Sequence, residues 1–233
     1  MTFILRSELH CHSNDTGIKN KFAPFLYDST QMVVEIINKC LSSNIKILAI
    51  TDHDSLSGYR IAKEYIKKNN INILLVPGCE ISTTEGHILA YGMVKEIKPK
   101  LNAQETIDLI HNQGGIAVVA HPFFFNSTGN KLYDLKPDAI EGLNSAASIK
   151  SNNKAIFASR KMNIPYIAAS DSHEIEAIGN GCTIFPENTI TIKDVLENIK
   201  SGNFSTEYKR TSYLAMTKSH FFHFLSNLFV RKI

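Results

Sequence analysis

The chain has 233 residues, 43% hydrophobic and 20% charged, which is the balance of an ordinary globular protein with ample core. Its net charge of +3 is too small to argue for nucleic acid, and no stretch reaches the length of a membrane span. Four cysteines (Cys11, Cys40, Cys79, Cys182) form no Cys-x-x-Cys and suggest no disulfide framework, and no basic-then-apolar leader opens the chain, so a cytoplasmic protein is expected.

The charge is unevenly placed. Lys209, Arg210, Lys218, Arg231 and Lys232 lie in a tail without Asp or Glu, which leaves the body slightly acidic. With no repeat or Pro/Gly-rich linker, one domain over 1–207 is expected. The tail over 208–233 reads as a basic, aromatic segment forming a helix packed on that domain, because its apolar run at 221–230 is too short to cross a bilayer.

Phe3-Ile4-Leu5 opens a strand that runs into Ser7-Glu8-Leu9-His10-Cys11-His12-Ser13. Side chains two apart on a strand share a face, so His10 and His12 point together and Cys11 points away. Two such imidazoles form a chelate for a divalent ion, although a lone His-x-His also serves as an ordinary hydrogen-bonded pair. Asn14 to Asp28 is a polar loop, long enough to suggest a functional one. Ser29 or Thr30 can cap a helix carrying Met32, Val33, Ile36, Ile37 and Leu41.

Ile45 to Ile50 reads as a buried parallel strand ending in Thr51-Asp52-His53-Asp54, where the two aspartates orient the histidine or cap the next helix. A helix is expected over Leu56–Asn69. The third strand runs from Ile71 through Pro77-Gly78 into Cys79-Glu80-Ile81-Ser82. A turn at Thr84-Glu85-Gly86 precedes a strand over His87–Tyr91, and a helix over Gln104–Gln113 is stopped by Gly114-Gly115. Ile116 to Ala120 forms a strand with His121-Pro122 at its end. Ala139 to Leu143 is another candidate strand, followed by a helix over about Asn152–Lys161. Pro165 to Ala169 ends in Ser170-Asp171-Ser172-His173. A short strand at 182–185 and a helix at 192–199 close the body.

Strands alternating with helices imply a largely parallel sheet, and about seven such units in two hundred residues suggest a closed or nearly closed barrel. In that architecture functional groups gather at the C-terminal strand ends, which is where His10, His12, His53, Glu80, His121, Asp171 and His173 fall.

The motifs Glu8-Leu9-His10-Cys11-His12-Ser13, Ile50-Thr51-Asp52-His53-Asp54, Gly78-Cys79-Glu80-Ile81-Ser82, Gly86-His87-Ile88-Leu89-Ala90-Tyr91-Gly92, Ala120-His121-Pro122-Phe123 and Ala169-Ser170-Asp171-Ser172-His173 resemble those of the PHP (polymerase and histidinol phosphatase) family, in order, over about Ile4 to Phe185. The resemblance implies a distorted seven-stranded (β/α)7 TIM-like barrel holding two or three divalent ions (zinc, manganese or iron) that hydrolyses phosphate esters. It implies one metal on His10, His12, Glu80 and Asp171, with the attacking hydroxide held there, and a second on His87 and His121, bridged to the first by Glu80. A third would lie on Asp15, His53 and His173, with Asp28 as a rival for Asp15. The family often has Asp where this chain has Glu8.

Arg60, Ser170 and Ser172 are candidates to bind substrate. The expected partner is a small phosphorylated metabolite, a nucleotide or a short oligonucleotide, without stable duplex DNA binding; the oligomeric state is left open. An amidohydrolase-like metal hydrolase and a non-catalytic metal-stabilised module are the alternatives. The first usually needs a bridging lysine, which no strand end supplies.

Overall fold

The computed structural model describes residues 3–14, 29, 31–124 and 127–211. The loop carrying Asp15 and Asp28, and the expected tail helix, lie outside the described residues. Along the chain run β1 (Phe3–Glu8), α1 (Val33–Ser42), β2 (Ile45–Leu48), α2 (Ser57–Lys68), β3 (Leu74–Leu75), β4 (Gly78–Ser82), β5 (His87–Tyr91), α3 (Ala103–Asn112), β6 (Ile116–Val119), β7 (Ala139–Asn144), α4 (Ile149–Met162), β8 (Tyr166–Ala169), β9 (Gly181–Pro186), α5 (Ile192–Ser201) and β10 (Ser205–Tyr208). Local chemistry sets several helix ends. Asn102 and Ser148 cap α3 and α4 by accepting from Glu105 and Ser151 backbone N–H groups, Thr191 caps α5 in a reciprocal box with Asp194, and Gly202 ends α5 in the left-handed region.

The strands do not close into the expected seven-stranded barrel. They form two open, mixed, five-stranded sheets, in the orders β10-β9-β1-β2-β3 and β4-β5-β6-β7-β8. The causes are local. Thr83 to Gly86 is too short for a crossover helix, so β4 and β5 pair antiparallel. β6 also runs antiparallel to β5, and β9 returns antiparallel against β1. Pro77 offers no backbone donor, and the strand expected to run from Ile71 to Ser82 breaks there: β3 ends the first sheet while β4 begins the second. At the opposite seam the Thr183 hydroxyl accepts from the Ala168 N–H at 3.1 Å and donates to its carbonyl at 3.0 Å. That side chain takes the place of a ladder between β8 and β9. A Cβ on Gly181 would fall on the Ala169 carbonyl, so the close approach needs glycine.

The space between the sheets is filled by Leu9, Ile47, Val76, Leu89, Tyr91, Val118, Ile167 and Phe185. The Tyr91 hydroxyl crosses it to donate to the Leu9 carbonyl at 2.7 Å. Strand alternation sends neighbouring residues outward. Ala117 and Val119 face Ile107 and Ile110 of α3 and Ala155 and Ala158 of α4; Leu48 and Ile50 face Val33, Ile36 and Ile37 of α1.

Two single parallel bridges stitch the sheets together: Cys11 with Ser172, beyond the ends of β1 and β8, and His53, beyond the end of β2, with Glu80 of β4. His12 N–H donates to the Ser172 carbonyl at 2.9 Å, and Asp54 N–H to the Glu80 carbonyl at 2.9 Å. The residues singled out in the sequence lie along this seam.

Candidate metal centre

Glu80 stands at the middle of the seam, buried on β4. Its Oε1 lies 3.0 Å from both His87 Nδ1 and His121 Nε2. Its Oε2 lies 3.4 Å from His10 Nε2, 3.3 Å from His12 Nε2 and 3.2 Å from His53 Nδ1. Asp171 Oδ1 approaches His10 Nε2 at 3.3 Å and His12 Nε2 at 3.5 Å, while those two nitrogens face each other at 3.1 Å. Among the described residues, four groups have donor atoms mutually close enough to share one ion: His10, His12 and Asp171; His10, Glu80 and His121; His53, Glu80 and His87; and His12, His53 and His173. Every group draws from both sheets.

The spacing suits cation binding. Two atoms each about 2.1 Å from one ion lie about 3.4 Å apart at a tetrahedral angle and about 3.0 Å apart at an octahedral one, which brackets most of these separations. The donor chemistry suits it as well. Among the described residues, six imidazoles and two carboxylates give the nitrogen and oxygen donors that divalent cations accept.

Electrostatics reinforce the centre. Burial opposes ionisation of Glu80, but His53, His87 and His10 outweigh it and hold its carboxyl well below the usual range. Burial likewise opposes ionisation of Asp171, and His10, His12 and His121 reverse the balance. His10 is the mirror image: burial disfavours its imidazolium, yet Asp171, Glu141 and Glu80 hold its pKa well above the ordinary value.

Two residues of the centre also carry backbone strain. His121 (φ 26°) and Asp171 (φ 52°) both occupy the left-handed region without being glycine, a conformation that costs on the order of 1–3 kcal/mol and persists where surrounding bonds fix it. Those bonds are visible. His121 N–H donates to Glu141 Oε2 at 2.8 Å, and Asn144 Nδ2 donates at 3.0 Å to both Glu141 Oε2 and Asp171 Oδ2.

Glu141 and Asn144 were not singled out in the sequence. Glu141 Oε1 accepts from His10 Nδ1 at 2.9 Å, so Nε2 is the ring nitrogen turned to Glu80 and Asp171; carboxylates orient metal-binding histidines in this way. The available signal was an acid inside the otherwise apolar run Ala139–Leu143, and the structure buries that acid completely. Gln31 was missed as well: its amide donates to the His12 carbonyl at 2.6 Å and the Ser172 carbonyl at 2.7 Å.

Of the nine expected ligands, eight converge here, and Asp15 lies outside the described residues. The aspartates flanking His53 are spent on backbone. Asp52 accepts from Ser13 N–H at 2.6 Å and Gly58 N–H at 3.1 Å, and Asp54 accepts from Ser82 N–H at 2.7 Å. Glu8 accepts from the backbone N–H groups of His10, Ser170 and Gly179, yet burial pushes its carboxyl up to about 7.

The candidate substrate-binding residues do not join the cluster. Arg60 is exposed on α2 and pairs with Glu96 at 3.0 Å. Ser170 and Ser172 are buried; the Ser170 hydroxyl donates to the His10 carbonyl and the Ser172 hydroxyl accepts from Gln31.

Two mixed α/β sheets with histidines and carboxylates gathered along their seam define the class. The chain belongs to the PHP family. The PHP-associated family profile matches residues 150–204. An uncharacterised protein of Methanocaldococcus jannaschii is 30% identical over 142 residues, 60% of this chain and 82% of that one. A crystal structure of a two-domain protein from Bacteroides vulgatus, containing a predicted PHP-like metal-dependent phosphoesterase, matches 93% of this chain and 69% of its own with a TM-score of 0.67 and 15% identity. A lesion-specific endonuclease of Pyrococcus furiosus matches 87% of this chain and 57% of its own, with a TM-score of 0.57 and 20% identity. These two structures share the fold.

Proposed function

We propose that the protein is a divalent-metal-dependent phosphoesterase acting on a small phosphorylated metabolite or a nucleotide. The observation that carries this reading is the division of the Glu80 carboxylate, one oxygen facing His87 and His121 and the other facing His10, His12 and His53. His10, His12, Glu80 and Asp171 would hold one cation, and Glu80, His87 and His121 a second. His53 and His173 would hold a third with Asp15, for which Asp28 is the alternative. Clustered divalent cations neutralise phosphate oxygens and acidify a water near neutral pH.

The chain's own groups prepare that chemistry. Glu141 fixes the His10 tautomer, and Asn144 anchors Asp171 through Oδ2 while Oδ1 stays turned to His10 and His12. Burial of His10 and His12 keeps bulk water from their Nε2 atoms. The Bacteroides protein contains a predicted PHP-like metal-dependent phosphoesterase and the Pyrococcus protein is a lesion-specific endonuclease, and this supports phosphoester bonds as the bond class here. The amidohydrolase alternative is less favoured, because it usually needs a bridging lysine and none of the six site motifs contains one.

The test is hydrolysis of p-nitrophenyl phosphate and bis(p-nitrophenyl) phosphate before and after chelation. Activity should disappear with the metal and return with Mn²⁺, Zn²⁺ or Fe²⁺. Full activity in verified metal-free protein would defeat the reading.

A further inference from the structure

We propose that Phe124 is the residue by which this site selects its substrate: its ring receives a flat aryl or heteroaryl group carried on the ester oxygen of the phosphate. This deepens, and rests on, the phosphoesterase reading above.

The placement follows from a turn. The Phe124 N–H donates to the His121 carbonyl at 2.9 Å, closing a turn over His121-Pro122-Phe123-Phe124 with proline at its second position, where the fixed φ of proline is favoured. The turn sends its two phenylalanines to different places. Phe123 packs on the outer core beside Val119 and Leu132. Phe124 is half-buried, yet it belongs to none of the three core clusters among the described residues. Its ring stands instead against His121, with centroids 6.4 Å apart and planes at 81°. It ends a run of rings along the centre, in which His53 meets His87 at 5.1 Å and His87 meets His121 at 5.5 Å. Phe124 alone in that run has no metal-binding atom.

The centre opens along the same run. The side chains of His53 and His87 are 26% and 19% exposed, whereas those of His10 and His12 are buried. A substrate therefore approaches past these rings, and the group it carries beyond the phosphate comes up against Phe124.

Charge does not do the selecting. Among the described residues, Glu80, Glu141 and Asp171 have histidines as ion-pair partners and no lysine or arginine, and Arg60 pairs with Glu96. Bound cations would hold one phosphate monoester much like another. A substrate with a second phosphate or a carboxylate finds no side-chain cation on these residues. An aryl group gains the offset or edge-to-face contact that aromatic pairs prefer.

The experiment is isothermal titration calorimetry of benzylphosphonate and ethylphosphonate against the full chain reconstituted with Mn²⁺. In both ligands a methylene replaces the ester oxygen, so neither is hydrolysed. Benzylphosphonate should bind about tenfold more tightly, from aromatic contact and burial together. Phe124→Ala should bring the two within about twofold, with ethylphosphonate affinity and metal content unchanged, and Phe124→Tyr should keep the preference. Phe157→Ala, which removes an exposed ring from α4, should change nothing. The inference is overturned if the unmodified protein does not prefer benzylphosphonate, if Phe124→Ala keeps the preference, or if it loses both ligands equally, the mark of a purely structural ring. Hydrolysis of p-nitrophenyl phosphate, followed in parallel, separates the two readings. Hydrolysis without phosphonate preference sinks the role of Phe124 alone, and preference without hydrolysis sinks the phosphoesterase reading while leaving the ring its part in binding.

Discussion

Glu141 Oε1 lies 2.9 Å from His10 Nδ1, and the other oxygen of the same carboxylate accepts from the His121 backbone N–H at 2.8 Å. One buried acid therefore orients a ring following the first sheet and a backbone turn following the second. Both oxygens act as acceptors, which an amide cannot reproduce. Glu141→Gln should weaken metal binding about 10- to 100-fold, as read by competition with a chromophoric chelator. Unchanged affinity would remove Glu141 from the site.

Glu80→Gln should be more damaging than the loss of a ligand to one ion, because an amide cannot bring charge to both sides of a bridge. Elemental analysis should show metal lost from two positions, whereas His173→Ala should deplete one. Full occupancy in Glu80→Gln protein would disprove the bridge.

Metal binding should compete with protons. Burial disfavours the His10 imidazolium, but Asp171, Glu141 and Glu80 hold its pKa well above normal; at His121 burial is likewise outweighed, chiefly by Glu80. A raised pKa lets these imidazoles keep a proton to higher pH before the ion arrives, and that proton must leave when it does. Affinity should therefore rise with pH and fall on acidification. Titration calorimetry at pH 7 in two buffers of different ionisation enthalpy should give different heats; identical heats would contradict the prediction.

Tyr91→Phe tests the packing between the sheets apart from the chemistry. Removing the hydroxyl leaves the buried Leu9 carbonyl without its donor, which should cost about 1–3 kcal/mol. The urea midpoint should fall while metal content stays unchanged. A midpoint equal to that of the unmodified protein would show that this bond contributes nothing.

The ends of the strands were legible because each carries a short apolar run stopped by a polar motif, as in Ile116–Val119 before His121. Helix positions followed from spacing, but the cap expected at Ser29 or Thr30 is not the observed one: α1 starts after Met32, whose backbone N–H donates to Glu35, and the Ser29 hydroxyl accepts from Gln31 N–H. Strand direction was less legible. The four residues between Ser82 and His87 force a hairpin, yet the alternation of elements elsewhere favoured parallel closure. β10 escaped notice because Ser205-Thr206-Glu207-Tyr208 contains no apolar run and pairs at a sheet edge. Among the site residues, the ligand candidates stood in dense motifs, while Glu141 and Asn144 looked like isolated polar interruptions. Their role comes from three-dimensional neighbours, not from any spacing along the chain.

Each of the four candidate ion groups combines residues from both sheets, and the seam between those sheets is stitched by single bridges at Cys11 with Ser172 and His53 with Glu80. An ion bound there is also a clasp across two halves that share no continuous ladder. By mass action, a cation at a hundred times its Kd adds about 2.7 kcal/mol to the closed form. Chelation should then be felt as loosened mechanics: amide exchange at His12, Asp54 and Glu80 should quicken first, before the helices on the outer faces respond.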